Sequence, residues 1–167
     1  MNIKKTANLL INFTIKRLAE IFGLIIIFSG LSLLVALLSY SPEDPNFIFP
    51  NNTEIKNILG FKGSYISDLF FQAIGLAAYL VSLTLIVTGI NIFRHKEFFL
   101  IIENLFFSVI FSIFSSLFFA YFYTNAFSLY INGNGGFVGN YLNQTFLINI
   151  IQINEKFFYY FLIIVIL

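Results

Sequence analysis

Apolar residues gather into four runs along the chain, and the charges fall almost entirely between them. The first run, Ile21–Tyr40, carries no charged residue from end to end. At about 1.5 Å per helical residue it is long enough to cross a hydrocarbon core of roughly 30 Å. The second, residues 73–93, closes at Arg94-His95-Lys96, and the third, residues 105–123, is again charge-free and rich in Phe and Ser. The last opens at Phe157 and stops with the sequence at Leu167, about 16 Å as a helix and half of a bilayer. The pattern predicts an all-α integral membrane fold: a four-helix transmembrane bundle whose fourth helix, residues 157–167, is truncated, in a chain that is a fragment of something longer.

The connections carry the punctuation. Residues 1–20 form a basic leader with Lys4, Lys5, Lys16 and Arg17. A secretory signal has such a leader, but this apolar run exceeds a typical signal core and no A-x-A-like site follows it, so it reads as a retained anchor. Ser41-Pro42-Glu43-Asp44-Pro45 stops the first helix, because proline cannot continue the helical ladder and the acids do not belong in lipid. Residues 41–72 read as a loop whose end starts an interfacial helix near Tyr65. Asp68 then falls in the first turn, where the helix dipole favours an acid. Residues 94–104 form a short connection with Glu103 at the interface. In residues 124–156 the stretch Asn132-Gly133-Asn134-Gly135-Gly136, followed by Gly139, predicts a tight turn into a surface-lying helix from Phe137 to about Ile150.

Basic residues beside the spans set the orientation. Lys16, Arg17, Arg94 and Lys96 act as topology anchors, placing the N-terminus and the Arg94 connection in the cytoplasm and the loops 41–64 and 124–156 outside. Lys56 and Lys62 of the first loop are offset by Glu43, Asp44 and Glu54. His95, the one histidine, stands between two basic residues and reads as part of this anchor rather than as a ligand or base.

Composition narrows the chemistry. The chain is 59% hydrophobic and only 10% charged, with a mean hydropathy of +0.89, whereas a soluble domain is nearer a quarter charged. Its net charge of +1 is too small for a nucleic-acid surface. Without cysteine, disulfides and thiolate chemistry are excluded. The first three spans hold no Asp, Glu, Lys, Arg or His, which counts against an ion-coupled transporter or an intramembrane enzyme. There is no G-x-x-x-x-G-K-[ST] phosphate loop, and no lysine follows the glycines at 133–139, so no catalytic residue, cofactor or metal ligand is assigned. Ser108, Ser112 and Ser116 recur every fourth residue of the third span and put small hydroxyl residues on one face, a helix-packing stripe within the bundle or between subunits.

Three segments, in order, resemble one family. They are Leu37-Leu38-Ser39-Tyr40-Ser41-Pro42-Glu43-Asp44-Pro45; Asn57-Ile58-Leu59-Gly60-Phe61-Lys62-Gly63-Ser64-Tyr65 running on through Asp68-Leu69-Phe70-Phe71-Gln72 to Gly75-Leu76-Ala77-Ala78-Tyr79; and Gly135-Gly136-Phe137-Val138-Gly139-Asn140-Tyr141-Leu142. Placed among the spans as they are, they resemble the N-terminal four-helix membrane domain of the FtsK/SpoIIIE DNA translocases, over about residues 17–167. The resemblance implies a multi-pass anchor in the bacterial cytoplasmic membrane at the division septum. Its partners would be membrane lipid, further copies of itself in a homo-oligomer, and other division proteins. DNA would be met only through a C-terminal motor absent from this sequence. Pro42, Asp44, Pro45, Gly60, Gly63, Asp68, Gly135, Gly136 and Gly139 are the candidate partner-contact positions in the loops, each also explicable as turn or strain-relieving chemistry. The alternatives are a subunit of an unrelated transporter or channel, and a small membrane assembly factor.

Overall fold

The structure, a computed structural model, describes residues 3–45, 54–124, 132–147 and 155–166. Every regular element among these residues is a helix. The helices are α1 (Ile3–Leu38), α2 (Gly60–Ile74), α3 (Ala77–His95), α4 (Phe99–Phe122), α5 (Gly136–Leu142) and α6 (Glu155–Ile166), and α5 runs directly into a π-helical turn, Asn143–Leu147. Three are long and apolar enough to cross a membrane: α1 from Asn8 onward, α3 and α4.

α3 lies between α1 and α4, and α6 packs on α4. α2 and α5 pack on each other and close one end of the bundle, α2 against α1 and α5 against α4. The α1–α3 contact is made by small residues. A Cβ on Gly23 would stand 2.8 Å from the Gly89 carbonyl oxygen, and one on Gly89 would stand 2.7 Å from that of Gly23. Ala19 and Ala36 of α1 and Ala78 of α3 are buried as well. Between helices in lipid there is no hydrophobic gain from burying leucine, so backbones brought close by glycine and alanine hold the pair by dispersion. Above the seam Leu33, Leu37, Phe71 and Ala78 form a core cluster, and Leu117 with Leu162 forms a second under α6.

Several elements differ from the pattern expected from sequence. The basic leader is helical: α1 starts at Ile3 and is 36 residues long, about 54 Å against a hydrocarbon core of roughly 30 Å. α2 starts at Gly60 rather than near Tyr65, so most of the supposed loop end is a helix. Asp68 therefore sits in the interior of α2 and not in its first turn, and the dipole role expected for it is replaced by a side-chain contact described below. The surface helix expected from Phe137 to about Ile150 starts at Gly136 and becomes π-helical over Asn143–Leu147; its expected end at residues 148–150 lies outside the described residues. Gly75, at φ 60° and ψ −138°, breaks α2 from α3, a conformation open mainly to glycine. Lys96 ends α3 in the left-handed region at φ 61°, its N–H bonding the Ile92 carbonyl at 2.7 Å.

Candidate functional site

The residues that carried the family resemblance converge on the closed end of the bundle, in two knots of backbone and polar side chains. The first knot joins the exit of α1 to the entry of α2. Asp44 is buried, and its carboxylate accepts the Lys56 N–H at 2.8 Å and the Asn57 N–H at 2.9 Å. Asn57 in turn donates to the Ala36 carbonyl at 2.9 Å and the Ser39 carbonyl at 3.3 Å, two acceptors that the end of α1 leaves open. The Leu59 N–H closes back on the Asn57 side chain at 3.1 Å, and Ser64 Oγ donates to the Pro45 carbonyl at 2.9 Å. Gly63 is where a side chain would collide with that Asn57 carbonyl oxygen. Tyr40 donates its hydroxyl to Asp68 at 3.1 Å and lies edge-on to Phe71 at 4.9 Å, while Tyr79 donates to the Leu37 carbonyl at 3.2 Å.

The second knot joins the α2–α3 break to the glycine loop and α4. Leu76 N–H bonds the Asn134 carbonyl at 2.8 Å. Ser116 Oγ donates to the Ile74 carbonyl at 3.2 Å and to the Gly135 carbonyl. Asn132 donates to the Gln72 side chain at 2.9 Å and to its carbonyl at 3.2 Å. Gly135 and Gly139 press against the Ser116 carbonyl where no Cβ fits. Gly136, at φ +63°, lies so close that its Cβ would stand 2.5 Å from the Gly75 nitrogen.

The opposite end carries a charge cluster. Glu20 on α1 pairs with Lys96 at the end of α3, 2.7 Å away, and with Arg17 at 2.6 Å. The Arg17 guanidinium also lies over the Phe13 ring, 5.1 Å from its centre. At the closed end one ion pair faces water, Lys56 with Glu43. The hydrogen bond from Lys56 holds the Glu43 carboxyl below its usual range, and the same bond raises the Lys56 ammonium above its own. Among the described residues no three His, Cys, Asp or Glu side chains lie together as metal ligands would. An apolar cavity of about 180 Å³ lies between α3, α4 and α6, lined by Leu80, Ser115, Phe118, Phe119, Ile163 and Ile166.

What the two knots have in common is that loop polarity is turned inward onto backbone groups, so the arrangement fixes shape. Both knots, and the spans apart from the first residues of α1, fall within residues 15–167, which match the family described as the 4TM region of DNA translocase FtsK/SpoIIIE. The chain belongs to that family. It is similar to the DNA translocase FtsK of Rickettsia bellii, 36% identical over 78 residues that cover 47% of this chain and 10% of the relative. The FtsK of Bradyrhizobium diazoefficiens is 36% identical over 84 residues, 50% of this chain and 10% of the relative. The FtsK of Azospirillum brasilense is 33% identical over 87 residues, 51% of this chain and 14% of the relative. The aligned part thus spans only about a tenth of these FtsK relatives. No solved structure matches the chain.

Within this FtsK-type domain the residues singled out from sequence divide by location. Ser112 and Ser116 are buried on α4, and Ser108 offers its carbonyl to Ser112 Oγ at 2.6 Å. Ser116 alone of the three bridges to other elements. Of the anchors, Arg17 and Lys96 meet through Glu20, while Lys16 and Arg94 are exposed. Of the loop positions, Asp44, Pro45, Gly63, Asp68, Gly135, Gly136 and Gly139 are buried and packed within the chain. Pro42 is exposed and Gly60 half-buried. Sequence reasoning passed over Glu20, Asn57 and the Gly23–Gly89 pair. Asn57 had a local signal, an Asn two residues ahead of the N–H it accepts, which is the Asx-turn pattern.

Proposed function

We propose that this chain is the membrane-anchoring and assembly domain of a septal DNA translocase. Its work is mechanical: it tethers a cytoplasmic ATP-driven motor, associates with copies of itself, and meets other division proteins. The observation that carries this reading is the match of residues 15–167 to the FtsK/SpoIIIE membrane region. The internally bonded cap supports it, since a tether under load needs loops that hold their shape. Nucleotide hydrolysis and DNA contact are assigned to parts of the protein outside these residues, which carry no phosphate loop. In this reading Arg94 and Lys96 face the cytoplasm and the knotted end faces outward, as the basic residues flanking the spans favour.

Paired reporter fusions at His95 and Asn134 test the orientation. A cytoplasmic enzyme reporter should be active at His95 and silent at Asn134, and an export-dependent reporter should do the reverse. Activity of the cytoplasmic reporter at Asn134 would sink the reading. A fluorescent fusion should also gather at the division site, and uniform labelling of the envelope would remove the septal role.

A further inference from the structure

The first turns of α2 are built inside out. Ahead of Phe71, its one large buried residue, the face toward the bundle is small and polar, with Gly63, Ser64, Ser67 and Asp68 buried, Ser67 fully and Asp68 to 6% exposure. Its outer face is apolar: Phe61 is 52% exposed, Ile66 41% and Leu69 55%, and Ile58, in the turn just ahead of the helix, is 76% exposed. Around the helix Phe61, Leu69 and Ile66 fall on one broad side. A helix lying over a protein in water shows the reverse pattern, with its apolar stripe inward. The polar inward side is bonded within the chain, Ser64 to the Pro45 carbonyl, Ser67 to the Ser64 carbonyl and Asp68 to the Tyr40 hydroxyl. That is the condition for a helix to leave water, because polar groups in lipid must find partners internally.

We infer that α2 is seated in the leaflet at the closed end of the bundle, with the apolar side formed by Phe61, Ile66 and Leu69 against phospholipid. Lipid is favoured as the occupant by what rims this side. The Lys62 side chain is the sole charged group on the outer side of α2, and from that position its stem follows the apolar face while its ammonium reaches lipid phosphate. Exposed Phe137 and Tyr141 of α5 stack on each other at 6.0 Å and extend the apolar surface, with Tyr141 suited to the headgroup level. The exposed Lys56–Glu43 pair marks where the cap returns to water. α2 is then a flank of the bundle and not a cover over it. A partner arriving from the aqueous side meets the turn around Pro42, Glu43 and Lys56 instead. The inference rests on the chain being embedded in a membrane and is independent of which side the cap faces.

The chain contains no tryptophan, so one introduced residue reports its own surroundings. Phe61→Trp and, separately, Leu69→Trp are reconstituted in phosphatidylcholine–phosphatidylglycerol vesicles whose acyl chains carry bromine near the headgroup or near the chain end. Both variants should emit at blue-shifted wavelength and lose fluorescence to shallow bromine more than to deep bromine, with little loss to aqueous iodide. Val87→Trp, on the exposed side of α3 in mid-span, should instead be quenched most by deep bromine. Red-shifted emission quenched by iodide at both α2 positions would put the apolar side in water and overturn the inference. Blue-shifted emission that neither bromine reaches would mean that protein, such as a second copy, covers this side, and would overturn it equally. Loss of lipid quenching at Val87→Trp would remove the embedded chain itself, and the inference with it.

Discussion

Ser116 and the glycines facing it show how much a single position carries in this fold. Its hydroxyl reaches the Ile74 and Gly135 carbonyls, and its own carbonyl is the surface on which Gly135 and Gly139 rest. These two functions separate by mutation. Ser116→Ala removes the hydroxyl bonds and keeps the close backbone contact, a loss on the order of 1 kcal/mol by the measured range for hydroxyl bonds between membrane helices. Gly139→Ala puts a methyl group into the backbone of α4, which cannot rotate aside as a side chain can. Overpacking of that kind costs about 1–3 kcal/mol or more. Thermal unfolding in detergent should therefore order the melting temperatures wild type, Ser116→Ala, Gly139→Ala, from highest to lowest. An unchanged melting temperature for Gly139→Ala would contradict the packing described here.

Among the elements, α1, α3 and α4 are legible in the sequence because a span must be continuously apolar over about 20 residues, and few other segments are. α2 is harder to read for a physical reason. Ahead of Phe71 its buried residues are small or polar while Phe61, Ile66 and Leu69 face outward, so its composition resembles an interfacial loop with a late helix start. The turn residues of both knots are legible as turns, but their partners are remote: Asp44 bonds residues 56 and 57, and Ser116 bonds residues 74 and 135. Such pairings depend on how helices cross, which local periodicity does not encode. The α1–α3 crossing is the example with the largest consequence. Gly89→Leu would drive a side chain into the Gly23 carbonyl and the Ile27 backbone, so the two helices must part along their whole seam. Val87→Leu, two residues away on the exposed side of α3, adds similar bulk toward lipid. The expected result is a lowered melting temperature and broadened size-exclusion profile for Gly89→Leu, with Val87→Leu behaving as wild type. Equal behaviour of the two variants would remove the crossing as the organising contact.

For the molecule as a whole, two cross-links between α1 and α3 set the scale. Glu20 meets Lys96 at one end, and the Leu37 carbonyl meets the Tyr79 hydroxyl at the other. The same number of residues separates these points on both helices, about 26 Å at 1.5 Å per residue, slightly less than a hydrocarbon core of roughly 30 Å. On this scale the ion cluster is expected at one membrane boundary and the knotted cap at the other. α1 continues beyond Glu20 toward Ile3, by roughly another 26 Å as a helix, with Lys16 and Arg17 near the point of emergence. A chain without cysteine permits a direct test. A single cysteine at Asn12 should react with a membrane-impermeant maleimide supplied to the side on which Lys96 lies. One at Phe28, exposed on α1 but between the two cross-links, should react only after detergent is added. Protection of Asn12→Cys would mean that the basic extension folds back into lipid. Labelling of Phe28→Cys in intact membranes would move the boundary away from Glu20 and break the match between helix register and bilayer thickness.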